Sequence, residues 1–170
     1  MDLFVSKRKG QWQAQYGAKV YPCAVGRGGL ARNKREGDGT TPIGCFTMRA
    51  LLFRPDRMDP PETGGLPVRA MAPQHGWCDA PDDPAYNRPV NLPYGASAES
   101  LWRDDELYDL IVVLGYNDDP PVAGRGSAVF LHVARNDLSP TDGCVALRRA
   151  DLSAVLRTAT DRARVCVLAD

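Results

Sequence analysis

Short apolar runs alternate with glycine, proline and charged turns along the whole chain, and this pattern is typical of a β-rich protein. The first such runs flank a lysine-rich turn at Gly10 and predict an opening hairpin. A polar stretch at residues 30–42 predicts a loop. The strands predicted in this first third cover residues 3–5, 12–16, 19–25 and 43–53.

The last third predicts further strands and one helix. Residues 110–114 form a continuous apolar run of strand length and predict a central strand. Residues 127–133, 144–147 and 164–168 predict three more strands. Residues 151–159 place apolar side chains at helical spacing, with Asp151 as the predicted N-cap. The chain is therefore expected to hold seven or eight strands and one helix.

The middle of the chain, residues 54–106, holds nine of the fourteen prolines and shows little periodicity apart from a possible strand near residues 68–71. Its aromatic residues favour an ordered excursion over disorder. These aromatic residues are Trp77, Tyr86, Tyr94 and Trp102. We predict one mainly β domain over residues 1–170, in which the excursion forms part of a cleft.

Charge and composition narrow the classes of function. Twenty-one basic and 21 acidic side chains give a formal net charge of zero, which argues against nucleic-acid binding. No apolar run approaches the roughly 20 residues of a membrane helix. The N-terminus has a three-residue apolar stretch before its charges begin, so we expect no signal peptide and a cytoplasmic location, or a periplasmic one if a leader has been removed. The five cysteines are predicted to be free thiols.

Only two histidines are present, so a thiol–imidazole pair must use His75 or His132. His132 ends an apolar run, and Cys144 follows after a mostly polar loop, so two neighbouring strands can bring them together. An imidazole beside a thiol supplies the base that makes cysteine a nucleophile. Gly143 allows a sharp turn, and the amides of Asp142, Gly143 and Cys144 are candidates to stabilise an oxyanion. The alternative, in which Cys144 and His132 are structural, stays open from the residues alone.

The sequence around the other cysteines gives less support for a catalytic role. Cys45 follows Gly44 in a strand-like run with no histidine nearby in the sequence, and Cys23 and Cys166 also look structural. The alternative for Cys78 is a zinc site, because this cysteine lies three residues after His75. Its ligands would be His75, Cys78, His132 and Cys144. The spacing is irregular, so we predict no metal and no cofactor.

Three further features are candidates for binding a phosphate or carboxylate group. Residues 26–29 resemble a phosphate-binding turn but lack the following Gly-Lys-Ser/Thr signature, and the mixed charges of residues 34–38 are typical of a solvated face. Arg88, Arg125 and Arg148 are candidates to bind a carboxylate through two hydrogen bonds. We select Arg88 and Arg125 for this role, with Trp77 and Tyr86 as cleft walls.

Two motifs resemble one enzyme family. Residues 130–133, Phe-Leu-His-Val, followed by residues 141–147, Thr-Asp-Gly-Cys-Val-Ala-Leu, resemble the signature of the YkuD-type L,D-transpeptidase catalytic domain. Residues 40–47 resemble the Thr-Pro-x-Gly-x-Phe strand of the family. The excursion is similar to a subgroup that carries Trp-Cys-Asp and Tyr-Asn-Arg stretches, here at residues 77–79 and 86–88.

The resemblance implies a β-sandwich of mixed sheets with Cys144 as nucleophile and His132 as base, its imidazole held by a backbone carbonyl such as that of Val133. It also implies that the substrate is a muropeptide or peptidoglycan stem peptide, cleaved before its terminal D-alanine through a thioester, with no metal. Two departures stand out. Asp142 replaces the histidine that usually lies two residues before the cysteine, and His132 lies only twelve positions before Cys144.

The expected function is that of a cytoplasmic L,D-carboxypeptidase of muropeptide recycling, which uses water as acceptor. A periplasmic transpeptidase, an enzyme that exchanges D-amino acids, and a non-catalytic peptidoglycan-binding module are the alternatives.

Overall fold

The computed structural model describes residues 1–169, which form fourteen strands and one helix. In chain order the elements are β1 (Leu3–Arg8), β2 (Gln11–Tyr16), β3 (Lys19–Ala24), β4 (Leu30–Ala31), β5 (Thr41–Pro42), β6 (Gly44–Phe53), β7 (Val68–Ala70), β8 (His75–Cys78), β9 (Pro89–Asn91), β10 (Ala98–Ser100), β11 (Leu110–Leu114), β12 (Phe130–Val133), β13 (Val145–Leu147), α1 (Arg149–Leu156) and β14 (Arg164–Val167). No helix in residues 1–169 is long and apolar enough to cross a membrane.

One nine-stranded sheet, ordered β11-β12-β13-β3-β2-β1-β14-β6-β7, makes up most of the fold. The ten-residue strand β6 pairs with β14 through residues 44–47 and with β11 through residues 48–53. Because β11 also pairs with β12, the sheet folds back over itself and encloses an apolar core. The mainly β sandwich predicted from the sequence is confirmed.

The core is built from the inward-facing residues of the strands. In β1, Leu3 and Val5 are buried while Phe4 between them is exposed, as the two-residue period of a strand requires. Strand β11 is buried on both sides, which explains its continuous apolar run. Helix α1 adds Leu152, Val155 and Leu156 to the same core.

The sequence prediction was wrong in its strand count and helix limits. The additional strands have two to four residues each, too few to show a periodic pattern. The helix begins at Arg149, because the amide of Leu152 already bonds to the carbonyl of Arg148. Asp151 therefore lies in the first helical turn, where its charge suits the helix dipole, and is not the N-cap.

The excursion is ordered. Its strand β7 pairs with β6, and β10, β8 and β9 form a separate antiparallel sheet. This small sheet packs on the main sheet through Trp77, whose ring meets the edge of Phe130 at a centroid distance of 5.1 Å.

The prediction of five free thiols was also wrong, because Cys45 and Cys166 form a disulfide. The two residues oppose one another in the antiparallel pairing of β6 and β14, although 121 positions separate them in sequence. Cys23, Cys78 and Cys144 are free and buried.

Candidate active site

Cys144 and His132 lie on paired parallel segments of the main sheet. Strands β12 and β13 pair with Leu131 opposite Val145 and His132 opposite Ala146. Cys144 lies two residues before Ala146, so its side chain and that of His132 leave the same face of the sheet. Both line a cavity of about 650 Å³, which we call the thiol cavity. Its charged wall residues are Arg27, Lys34, Glu36, Asp79, Glu99, Arg103, Arg135 and Asp142.

The imidazole of His132 is held in one tautomer. Its Nδ1 lies 2.9 Å from the carbonyl oxygen of Val133, and because a carbonyl only accepts, Nδ1 carries the proton. Tyr108 packs edge-on against the ring at a centroid distance of 5.2 Å. Burial lowers the pKa of His132 to about 4, so the ring is neutral near pH 7. Nε2 is left with a lone pair that can accept a proton.

The thiol of Cys144 is also neutral at rest. Its Sγ accepts a hydrogen bond from the amide of Phe130 at 3.3 Å and donates one to the carbonyl of Ala128 at 3.2 Å. Burial raises the pKa of Cys144 to about 12, although the Phe130 amide and the Lys34 charge act in the opposite direction. Formation of a thiolate therefore needs a base, and the neutral imidazole of His132 lines the same cavity.

Two threonines fix the backbone turn that carries the thiol. The hydroxyl of Thr141 donates to the carbonyl of Cys144 at 2.7 Å, and that of Thr41 donates to the carbonyl of Gly143 at 2.9 Å. Gly143 has φ +140°, where a side chain would be strained. Its amide donates to Thr141 Oγ1 at 3.1 Å, so this amide is engaged inside the turn. Of the three amides suggested for an oxyanion, those of Asp142 and Cys144 remain as candidates.

The glycine-rich loop at residues 26–29 contributes Arg27 to the wall of the thiol cavity, and its four backbone amides all bond within the protein. The amide of Arg27 bonds to the carbonyl of Thr141, and a Cβ on Gly26 would lie 2.2 Å from the carbonyl oxygen of Gly39. Glycine is required here because the loop crosses itself at van der Waals contact. The loop thereby packs against the turn before Cys144.

Lys34 is the exception to the solvated face predicted for residues 34–38, because the other four residues are exposed or half-buried. It is only 7% exposed, and its Nζ lies 2.9 Å from Asp38 Oδ1. The side chain runs close to Gly126 and Gly143, where a Cβ would clash with Lys34 Cε or approach its Nζ. In the sequence only the spacing of Lys34 and Asp38 hinted at this pair, and that spacing brings side chains together on a helix rather than in a loop.

Asp142, which stands where the family signature has a second histidine, faces the cavity mouth. Its side chain is 90% exposed and forms an ion pair with Arg27. Its charge is therefore partly neutralised at the surface, away from the buried thiol.

Comparison with known proteins agrees with this geometry. The family model of YkuD, the L,D-transpeptidase catalytic domain, matches residues 3–167. The chain belongs to this family. No curated protein matches it. The YkuD family consists of cysteine-dependent enzymes that act on peptidoglycan stem peptides, so the domain supports L,D-transpeptidase-type catalysis.

The structure of this YkuD domain does not bring the predicted substrate-binding residues to the thiol. Arg88 and Trp77 line a second cavity of about 500 Å³, together with Arg49, Arg69 and His75. We call this the arginine cavity. Arg125 and Arg148 are exposed and line neither cavity. Their role in substrate binding stays a prediction, because the sequence could not assign loop residues to one side of the small sheet.

Tyr86 acts on the thiol cavity indirectly. It is 4% exposed, its hydroxyl donates to Glu36, and it accepts a hydrogen bond from the amide of Gly126 at 2.9 Å. It therefore anchors a wall residue and is not itself a cleft wall.

The zinc alternative is not supported by the placement of its ligands. His75 lines the arginine cavity, whereas His132 and Cys144 line the thiol cavity. Within the described part of the chain, no three His, Cys, Asp or Glu side chains are grouped as a metal site.

Sequence reasoning missed several wall residues of the thiol cavity. Asp79, Glu99 and Arg103 come from the excursion, and Tyr108 follows it. Only the interpretation of the excursion as part of a cleft pointed to this region.

Proposed function

We propose that this YkuD domain is an L,D-carboxypeptidase that removes the terminal D-alanine from peptidoglycan stem tetrapeptides. The observation that supports the proposal best is the bond from His132 Nδ1 to the Val133 carbonyl, which leaves Nε2 as a base in the cavity of the Cys144 thiol.

Acylation begins when Cys144 Sγ attacks the carbonyl carbon of the third residue while its proton passes to His132 Nε2. The amides of Asp142 and Cys144 are proposed to stabilise the oxyanion. As the tetrahedral intermediate collapses, the C–N bond breaks and the D-alanine nitrogen takes the proton from Nε2. A thioester between Cys144 and the tripeptide remains.

Deacylation uses water. His132 Nε2 takes a proton from a water molecule, whose oxygen attacks the thioester carbon. The C–S bond breaks, sulfur recovers the proton, and the tripeptide leaves with a new carboxylate. The charged wall of the thiol cavity supports water as the acceptor, because it offers many hydrogen-bonding groups.

Transpeptidation is the second candidate, and membership of the YkuD family favours it. The same thioester reacts with an amine of another stem peptide to form a cross-link, or with a free D-amino acid in exchange. A non-catalytic peptidoglycan-binding module, the candidate from another class, needs neither the base nor the nucleophile.

The cellular compartment is a separate part of the proposal. A role in muropeptide recycling places the enzyme in the cytoplasm, whereas the Cys45–Cys166 disulfide is typical of oxidising compartments. Thiol labelling of the protein in rapidly acidified cells distinguishes the two: reduced Cys45 and Cys166 support the cytoplasm, and protected ones contradict it.

Mass spectrometry tests the reaction. A diaminopimelate-containing tetrapeptide and its disaccharide-linked form are incubated with the protein and with Cys144→Ala. We expect loss of one D-alanine, abolished in the variant, with Cys78→Ala as the matched control for loss of a buried thiol. A cross-linked or exchanged product would replace hydrolysis by transpeptidation, and no product would favour a binding module.

A further inference from the structure

The cations in the wall of the thiol cavity are mostly satisfied by neighbouring carboxylates. Three of the four basic side chains form ion pairs with acidic residues. These pairs are Arg27 with Asp142, Lys34 with Asp38, and Arg103 with Asp105. The positive charge of this wall is therefore largely neutralised within the protein.

Three carboxylates of the same wall have no such partner. Across residues 1–169, no ion pair involves Glu36, Asp79 or Glu99. Each of them lines the cavity that holds Cys144 and His132. This side of the thiol cavity thus carries three carboxylates without an ion pair, and Arg103, which is paired with Asp105, acts on Glu99 only through its charge.

Two buried polar atoms in this wall also lack a hydrogen-bond partner in the described chain. They are Oδ1 of Asp79 and Oγ of Ser127, and Ser127 is only 9% exposed. Buried polar atoms are nearly always paired, so two unpaired ones in one cavity are available to a hydrogen-bonding ligand. A carboxylate oxygen only accepts hydrogen bonds and a serine Oγ can accept as well as donate, so both atoms can receive hydrogen bonds from a donating ligand.

Glu99 is held in place toward the catalytic pair. Its Oε1 accepts a hydrogen bond of 2.6 Å from the hydroxyl of Tyr108, whose ring packs against His132. Burial raises the pKa of Glu99, and the nearby carboxylates of Asp79 and Glu36 act in the same direction. A cation among these groups would relieve their mutual repulsion.

We propose that Glu99, Asp79 and Glu36, with the Ser127 hydroxyl, bind an ammonium group of the substrate. Because this rests on the proposed function, the ammonium belongs to the stem peptide, and the preferred class carries a free amine on the side chain of its third residue. These residues then determine specificity. An acylated or amine-free side chain leaves the negative wall unpaired and binds more weakly.

Calorimetry with the Cys144→Ala variant tests the proposal without turnover. The probes are a diaminopimelate-containing tetrapeptide and the same peptide acetylated on its side-chain amine. We expect the free amine to bind at least about tenfold more tightly. Adding Glu99→Gln, which keeps an acceptor for Tyr108, or Asp79→Asn should bring the ratio of dissociation constants toward one.

Glu62→Gln is the matched control, since it removes one negative charge from an exposed loop. Its ratio should stay that of the parent, and thermal melts verify that each variant folds. Equal affinity for the two peptides, no binding of either, or a ratio insensitive to Glu99→Gln and Asp79→Asn overturns the proposal. If the ratio holds but the native protein releases no D-alanine, the ammonium site stands and the proposed reaction fails.

Discussion

Each of the two cavities of this domain is lined by one histidine, but only the thiol cavity is also lined by a cysteine. In the thiol cavity, His132 and Cys144 come from adjacent parallel segments and leave the same face of the sheet. At the arginine cavity, His75 and Cys78 lie three residues apart on β8, so they leave opposite faces. Strand pairing, and not closeness in sequence, brings a histidine and a cysteine to one cavity.

The two imidazoles also differ in where their proton lies. His132 Nδ1 donates to a carbonyl, so Nε2 carries the lone pair. His75 Nδ1 accepts a hydrogen bond of 3.2 Å from the amide of Ala72, so the proton of a neutral ring must be on Nε2. Backbone groups thereby leave Nε2 of His132 with a free lone pair, whereas Nε2 of a neutral His75 carries the proton.

Replacing each histidine with glutamine should give the largest difference in activity between the two cavities. We expect His132→Gln to lower kcat/KM for D-alanine release about 10²- to 10⁴-fold, because it removes the general base. His75→Gln should change it less than about twofold, since the ring lies at the other cavity. Release of D-alanine from the tetrapeptide, followed by coupled assay, measures both. A larger loss with His75→Gln would mean that the two cavities act together.

Replacing Lys34 should have a smaller effect, and it tests how a charge in the thiol cavity acts on Cys144. The Lys34 ammonium lowers the pKa of Cys144, which burial raises, so Lys34→Met should raise the pKa further and reduce the thiolate fraction. We expect alkylation of Cys144 by iodoacetamide to slow by up to about tenfold. Because the pKa, about 12, lies above the accessible range, the rate should rise with pH from 6 to 9 in both proteins.

The control for Lys34 is Lys7→Met, which removes an exposed ammonium that lies over Trp12. Peptide mapping separates Cys144 from the buried Cys23 and Cys78. In Lys34→Met, Asp38 still accepts hydrogen bonds from the amides of Arg35 and Thr40, so we expect the loop to keep its conformation. An unchanged alkylation rate in Lys34→Met would show that its charge does not reach the thiol.

What the sequence predicted correctly depends on local pattern. The strands β1, β2, β3, β6 and β11 have apolar alternation or continuous apolar runs, and these are visible without a partner. The separation of His132 and Cys144 by one loop between two short runs is also local. Spacing alone left open whether His132 and Cys144 are catalytic or structural, and the family signature at residues 130–147 favoured the catalytic interpretation.

What it missed depends on contacts between distant segments. The Cys45–Cys166 disulfide follows from the register of β6 and β14, and the burial of Lys34 follows from the approach of a loop to Gly126 and Gly143. The prediction that Arg88 binds the substrate carboxylate rests on its position in a long loop. The side of the small sheet that faces the thiol is set by tertiary packing, which no pattern within the excursion reveals.

The smallest effect is expected from replacing an arginine, and it should differ between the thiol cavity and the arginine cavity. Arg135 lines the thiol cavity and, within residues 1–169, forms no ion pair, so it is placed to attract a carboxylate of the substrate. Since Arg135 is exposed, we expect Arg135→Gln to raise KM only about two- to fivefold, with kcat nearly unchanged. Arg88→Gln is the matched control, because Arg88 lines the arginine cavity and donates to the Asp118 carbonyl at 2.5 Å. Steady-state kinetics at two salt concentrations should show that the Arg135 effect fades at high salt, as it must for a screened charge. An equal or larger rise of KM in Arg88→Gln would restore the sequence-based assignment and place part of the substrate in the arginine cavity.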